Sequence, residues 1–322
     1  MIATVTLNPC RDRTIVIPRL AVGGLNRAGS VRDDMSGKGI NVSAVLRSLG
    51  VETLCLGFIF DQGADELTET LAAKGLRHDF VRAPGKIRTN LKIFEAESRR
   101  MTEINEAGSP VPAERADELR EKVRRSARES AAVVLSGSAP PGVKADFYRE
   151  LIEICREANP SAAIALDADG ELLKNGLDAR PDILKPNLCE LENLLGKKFG
   201  GGFAAERDNI TRCCGELARE TGAGLICVSM GAEGALLWSK DGVFFAKAPD
   251  VEVRSLQGAG DSMMAGLCAA YVTGKPPAES LRWAAAAAGG SVMREGTELC
   301  GREDFDGVYG KVEIEEIRTG TI

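Results

Sequence analysis

Ala131-Ala-Val-Val-Leu135 and Ala163-Ile-Ala-Leu-Asp167 are short, almost wholly apolar runs, and residues 144–157 between them carry their apolar side chains at helical spacing. A strand that is apolar on both faces belongs in a sheet covered on both sides, and strands joined through a helix pair in parallel. The same unit repeats outward in both directions. Strands are predicted at 3–7, 53–60, 183–185 and 225–229, with helices near 39–49, 63–74, 113–128 and 203–221 between them. Helices near 261–272 and 276–290 close the series, and the second contains Ala284–Ala288, a run that lets it pack closely on a neighbour. The expected fold is α/β on a mostly parallel sheet.

Two segments break the alternation. Residues 13–34 and 88–105 each read as a pair of strands with no helix between them. Both are expected to leave the main sheet and pair into a small second sheet, a lid. No linker rich in Pro, Gly or Ser divides the chain and no internal repeat is present, so residues 1–322 are read as a single domain.

The 322 residues are 44% hydrophobic, enough for a large core without disulfide or metal staples. Lys and Arg number 41 against 47 Asp and Glu, a formal charge of −6. That balance lacks the basic excess that nucleic-acid binding rests on, so an anionic ligand must meet a local cluster of positive groups. No apolar run reaches the ~20 residues of a membrane-spanning helix. The opening Met1–Asn8 has no basic segment ahead of its apolar residues and reads as a first strand, not a signal peptide. Nine scattered cysteines without a C-x-x-C pair, and one histidine (His78), disfavour zinc and leave one possible base for a Ser-His-Asp mechanism. The thiols are expected to be buried hydrophobes in a cytoplasmic protein.

The sharpest local feature is Gly258-Ala259-Gly260-Asp261. Its glycines let amides converge ahead of a helix N-terminus, a cradle suited to phosphate, and Asp261 is either the helix cap or a functional carboxylate. Lys185-Pro-Asn187 ends a strand, and Asn187 and Glu190 share a helical face. They either hold one hydrated Mg2+ or form a capping box. Asn8, Asp12 and Asn41 suit hydrogen bonds to sugar hydroxyls, while Gly37-Lys38-Gly39 opens a helix and pairs a lysine with its end amides. Arg88 precedes a strand, Ser136 follows one, and Ser229 to Gly234 is either a hairpin connection or a glycine-lined wall against a nucleotide. A nicotinamide-dependent oxidoreductase is disfavoured, since no G-x-G-x-x-G follows the first strand.

In this order, Asn8-Pro to Asp12, Gly37 to Asn41, Arg88 to Lys92, Thr102-Glu-Ile-Asn105, Ser136-Gly-Ser, Lys185 to Glu190, Gly231 to Gly234 and Gly258 to Asp261 resemble the ribokinase-like (PfkB) carbohydrate kinase family. The phosphosugar branch, 1-phosphofructokinase and tagatose-6-phosphate kinase, is the most similar. The resemblance implies a three-layer α/β/α core with a β lid, and ATP with Mg2+ as the phosphoryl donor. It makes Asp261 the catalytic base and the backbone of Gly258, Ala259 and Gly260 the anion hole. Asp12, Gly37, Asn41 and Ser136 are expected at the sugar, with Lys38 and Arg88 on the phosphate it already carries. Lys185, Asn187, Ser229, Gly231, Glu233 and Gly234 are expected at the nucleotide, and Asn187 and Glu190 at the metal, through water. The implied reaction converts fructose 1-phosphate to fructose 1,6-bisphosphate. The alternatives are tagatose 6-phosphate or fructose 6-phosphate as acceptor, or a non-catalytic ligand-binding protein on the same fold.

Four positions depart from the usual pattern of that family: Arg11, Ser36, Ala44 and Ile87. All lie on the sugar side, and Arg11 is expected to add a cation beside the sugar. A lid made of strands leaves open edges, so a homodimer through the lid is expected.

Overall fold

The computed structural model describes residues 1–200 and 202–317. β1 (Ile2–Thr6) leads out to β2 (Cys10–Ile17) and β3 (Ser30–Ser36), and α1 (Lys38–Ser48) brings the chain back to β4 (Thr53–Gln62). There follow α2 (Ala64–Ala73), β5 (Arg77–His78), β6 (Val81–Lys86), β7 (Arg88–Glu95) and β8 (Arg100–Asn105). The regular alternation then runs α3 (Ala113–Ala127), β9 (Ala132–Ser136), α4 (Phe147–Ala158), β10 (Ala163–Asp167), α5 (Gly170–Leu177), β11 (Ile183–Leu184), α6 (Leu188–Leu195), α7 (Gly202–Thr221) and β12 (Leu225–Ser229). The chain ends with β13 (Ala235–Ser239), β14 (Gly242–Ala246), α8 (Ala259–Val272), α9 (Pro277–Val292), α10 (Arg302–Tyr309) and β15 (Ile314–Ile317).

Eleven strands form the main sheet in the order β15-β14-β13-β12-β11-β10-β9-β1-β4-β5, with β6 also on β4. From β12 through β4 to β5 and β6 every pairing is parallel, and only β12–β13, β13–β14 and β14–β15 are antiparallel. Alternate residues of one strand feed two cores. Val133, Leu135, Ile164 and Leu166 pack with α2 to α7 on one face. Ala132, Val134, Ala163 and Ala165 pack with α1, α8, α9 and α10 on the other. The sheet is thus the middle of three layers, as expected for strands apolar on both sides. α8 and α9 approach closely: a Cβ added at Gly266 would lie 2.5 Å from the Trp283 carbonyl.

The four strands β3-β2-β7-β8 form a separate sheet. It begins at Cys10 and ends at Ser36 in its first half, wider than the predicted 13–34, so Asp12 sits within a strand and not in a turn. That corrects the reading of Arg11. Neighbouring residues of a strand face opposite sides, and Arg11 points away from Asp12 to pair with Glu66 and, at 3.5 Å, Asp33. Cys10, Asp12, Arg88, Asn90 and Lys92 face one cavity together.

Among the described residues no helix is long and apolar enough to cross a membrane. His78 is exposed on the short β5, and eight of the nine cysteines are buried, Cys189 being the exception.

Candidate active site

The parallel strands deliver their carboxyl ends to one side of the sheet. Ser136, Asp167 and Lys185 stand there, at or just beyond the ends of β9, β10 and β11, and the Gly258–Asp261 turn lies across from them. The four-stranded sheet covers this edge, and a cavity of about 530 Å³ lies between them. Ligands of open α/β sheets bind at this position because helix N-termini and strand ends converge on it.

Gly258 caps α8 in the left-handed region, at φ 72°, and the amides that follow have no partner within the helix. Asp261 is therefore the third helical residue and not its cap. Its carboxylate is buried and accepts a hydrogen bond from Asn41 Nδ2 at 2.8 Å. Burial pushes its pKa up to about 6; Lys38 opposes the shift and the nearby Asp167 carboxylate adds to it. A carboxyl poised there can take a proton near neutral pH.

Asn41 is fixed from α1. The helix can start beside β1 because Gly39 has no side chain: a Cβ there would lie 2.6 Å from Thr6 Oγ1 and 2.8 Å from the Val5 carbonyl. Ser36, unusual for the resembled family, exchanges hydrogen bonds with Asn41, accepting from Nδ2 at 3.2 Å.

Asp167, which no sequence motif singled out, is the hub of the charges. It is buried at the end of β10, with Lys38 Nζ 3.5 Å from one oxygen and Lys185 Nζ 3.3 Å from the other. Burial alone would raise its pKa, but Lys185 and Lys38 outweigh it and hold the carboxyl below its usual range. Lys38 is pushed up in turn, first by Asp167. Lys38, expected with Arg88 on the sugar's own phosphate, lines the same cavity as Arg88, and its ammonium is paired with Asp167 and sits in the field of Asp261 and Glu190. Arg88 lines the cavity from β7 and donates to the Glu106 carbonyl at 3.1 Å. Asp12 accepts from Asn90 at 3.1 Å and is paired with Lys92 at 3.2 Å.

Asn187 and Glu190 form the capping box. The Glu190 amide donates to Asn187 Oδ1 at 2.9 Å, and the Asn187 amide donates to Glu190 Oε2 at 2.8 Å. Both residues still line the cavity, and so does Ser136, whose buried hydroxyl has no partner. No cluster of three or more metal-ligating side chains exists among the described residues. Asp167 and one oxygen of Glu190 nevertheless fit an ion that arrives with its own phosphate and water ligands, the usual manner of Mg2+.

A second cavity of about 430 Å³ abuts the first at Asn187, Ser229 and Gly260. Gly231, Gly234, Val251, Leu256, Met263 and Val292 make it largely apolar, a slot for a flat ring system beside a polar channel. Glu233, expected at the nucleotide, is turned elsewhere and accepts from the Phe203 amide at the start of α7.

Residues 5–304 match the model of the pfkB family carbohydrate kinases. The chain is 35% identical over 299 residues to a 1-phosphofructokinase of Rhodobacter capsulatus, covering 92% of each. It is 33% identical over 305 residues to one of Bacillus subtilis (strain 168), covering 95% of this chain and 96% of the other. In three dimensions it is similar to phosphofructokinase-2 from Escherichia coli in complex with substrates and products, with TM-score 0.88, 26% identity, and 96% and 98% of the two chains covered. A tetrameric inhibited form of that protein is also similar, at TM-score 0.85, 25% identity and the same coverage. With a buried carboxyl beside a glycine turn at a helix N-terminus, and with likeness along nearly the whole length, this chain belongs to the pfkB family of carbohydrate kinases.

Proposed function

We propose that this kinase transfers the γ-phosphoryl group of ATP to fructose 1-phosphate, giving fructose 1,6-bisphosphate. The observation that carries the reading is Asp261, a buried carboxyl with a pKa near 6, held by Asn41 beside the Gly258–Gly260 turn and at the junction of a polar and an apolar cavity. The sugar-phosphate acceptor is supported by the 1-phosphofructokinases among its relatives.

In this scheme Asp261 takes the proton of the acceptor hydroxyl, which then attacks the γ-phosphorus in line as the bond to ADP breaks. The amides of Gly258, Ala259 and Gly260 receive the charge of the transferring group, aided by Lys38 and Lys185. Arg88 meets the phosphate already on the sugar, and Asp12, Asn41 and Ser136 meet its hydroxyls. Ser229, Gly231 and Gly234 border the adenosine. Mg2+, held by Asp167 and Glu190 with Asn187 close by, would neutralise phosphate charge. The chain acts as one domain whose four-stranded sheet is a lid against water, dimerising through its open edges in the cytoplasm.

A coupled ADP-release assay with fructose 1-phosphate, fructose 6-phosphate, tagatose 6-phosphate and unphosphorylated hexoses tests the acceptor. The highest kcat/KM is expected for fructose 1-phosphate; a preference for an unphosphorylated hexose overturns the reading. Light scattering at micromolar concentration tests the dimer, and a monomer or tetramer mass counts against it.

A further inference from the structure

Lys92 is a buried lysine inside the cavity to which none of the roles above has been given. It sits on β7 of the four-stranded sheet with its side chain 10% exposed. Its ammonium lies 3.2 Å from Asp12 Oδ2 and donates to Gln257 Oε1 at 2.9 Å. Gln257 directly precedes Gly258, the residue that starts the anion-binding turn. One side chain thus joins the second sheet, the sugar-side carboxylate and the loop that sets the turn.

Elementary chemistry says what such a group does. An ammonium has three protons, and with one on Gln257 and one turned toward the paired Asp12 a third is available to a ligand in the cavity that Lys92 lines. A buried ammonium is expensive unless its donors are satisfied, and an acceptor oxygen that completes the set favours the arrangement that holds all three. Arg88 is four residues earlier on the same face of β7, so the two cations start about 13 Å apart along the strand. That spacing puts Lys92 over the reacting end when Arg88 is over the other.

We propose that Lys92 is a specificity-determining residue for the acceptor. It binds an oxygen of the sugar phosphate with its third proton and, through Gln257, latches the lid over the anion-binding turn. Acceptor binding is thereby coupled to exclusion of water from the phosphoryl group. This rests on the kinase reading above.

The test measures ADP and phosphorylated sugar separately, with fructose 1-phosphate and ATP, for the native enzyme, Lys92→Met and Gln257→Leu. The native ratio of ADP to sugar product is expected at 1. Lys92→Met should raise the sugar KM at least tenfold and lift the ratio above 2. Gln257→Leu, at a half-buried turn position, should lift the ratio while the sugar KM moves less than threefold. Native turnover with both variants at ratio 1 overturns the latch. An unchanged sugar KM in Lys92→Met overturns the specificity role, and a uniform fall in kcat with KM and ratio intact overturns both. A native enzyme that phosphorylates no sugar phosphate sinks the kinase reading and this inference with it.

Discussion

Replacing Asn41 by leucine removes the one side-chain hydrogen bond to Asp261 among the described residues while keeping the volume of the side chain nearly unchanged. The donor is 2.8 Å from a buried carboxylate, and a hydrogen bond to a charged group contributes about 1.5–3 kcal/mol. At 1.36 kcal/mol per unit, its loss should raise the Asp261 pKa by about 1–2 units. The group starts at about 6. Its ionised fraction at pH 7 would then fall from about nine-tenths to between about one half and one tenth. The assay is kcat/KM for the sugar phosphate from pH 5 to 9.5, which reports the free enzyme's essential base. The acid limb of the variant should move upward by that amount, so that a two- to tenfold part of its deficit at pH 7 recovers above pH 9, leaving only the pH-independent loss of its sugar contact. If the limb stays near pH 6 and activity drops by one factor at every pH, Asn41 merely positions substrate and the base assignment loses its support.

Asp261→Asn should abolish turnover while ATP still binds, and it should also stabilise the fold. The folded carboxyl is raised to about 6, above the ordinary ~3.9, so at pH 7 ionisation costs the native state about 3 kcal/mol. That cost is present above pH 6 and fades as the pH falls toward 4, so the advantage of Asp261→Asn in urea denaturation should be largest at pH 7–8 and vanish near pH 4. Arg88→Ala removes a charge-assisted phosphate contact and should raise the sugar KM by about 10- to 150-fold, with the ATP KM within twofold; an unchanged sugar KM in steady-state kinetics would make Arg88 a bystander. Gly39→Ala drives a Cβ into Thr6 Oγ1 and the Val5 carbonyl, so chemical denaturation should register about 1–3 kcal/mol of lost stability or more.

The parallel strands were legible because burial on both faces leaves no polar alternation to blur them; β10 occupies the predicted 163–167. β15 was not, since it is an edge strand with two glutamates at its centre, and β14 was not, although Val243 to Ala246 is a short apolar run that could have marked it. The eight-residue helices α5 and α10 give too few turns for a period to show. At the site, glycines and strand ends announced themselves locally, whereas the direction of a side chain depended on partners far away in sequence. Lys38 meets Asp167 across 129 residues and Asn41 meets Asp261 across 220. Arg11 failed for a simpler reason: once Asp12 is placed in a strand, its neighbour must face the other way. A carboxylate closing an apolar strand in this fold, as Asp167 does, was the signal available for the missed hub.

How an acidic chain handles two anionic substrates follows from the lining of its cavity. Lys38, Arg88, Lys92 and Lys185 face Asp12, Glu103, Asp167, Asp169, Glu190 and Asp261 there, four cations against six carboxylates. The surplus of two negative charges repels a bare phosphate, and a divalent cation cancels it. Lys92 with Asp12, and Lys38 with Lys185 on Asp167, are already paired, so three of the four cations hold a carboxylate before a ligand arrives, while Arg88 donates to the Glu106 carbonyl. The pairs are strung along one channel, from Arg88 on the lid to Lys185 at the strand ends. This lining, more than the overall −6, decides how the site meets an anion, because buried pairs are screened far less by salt than surface charge.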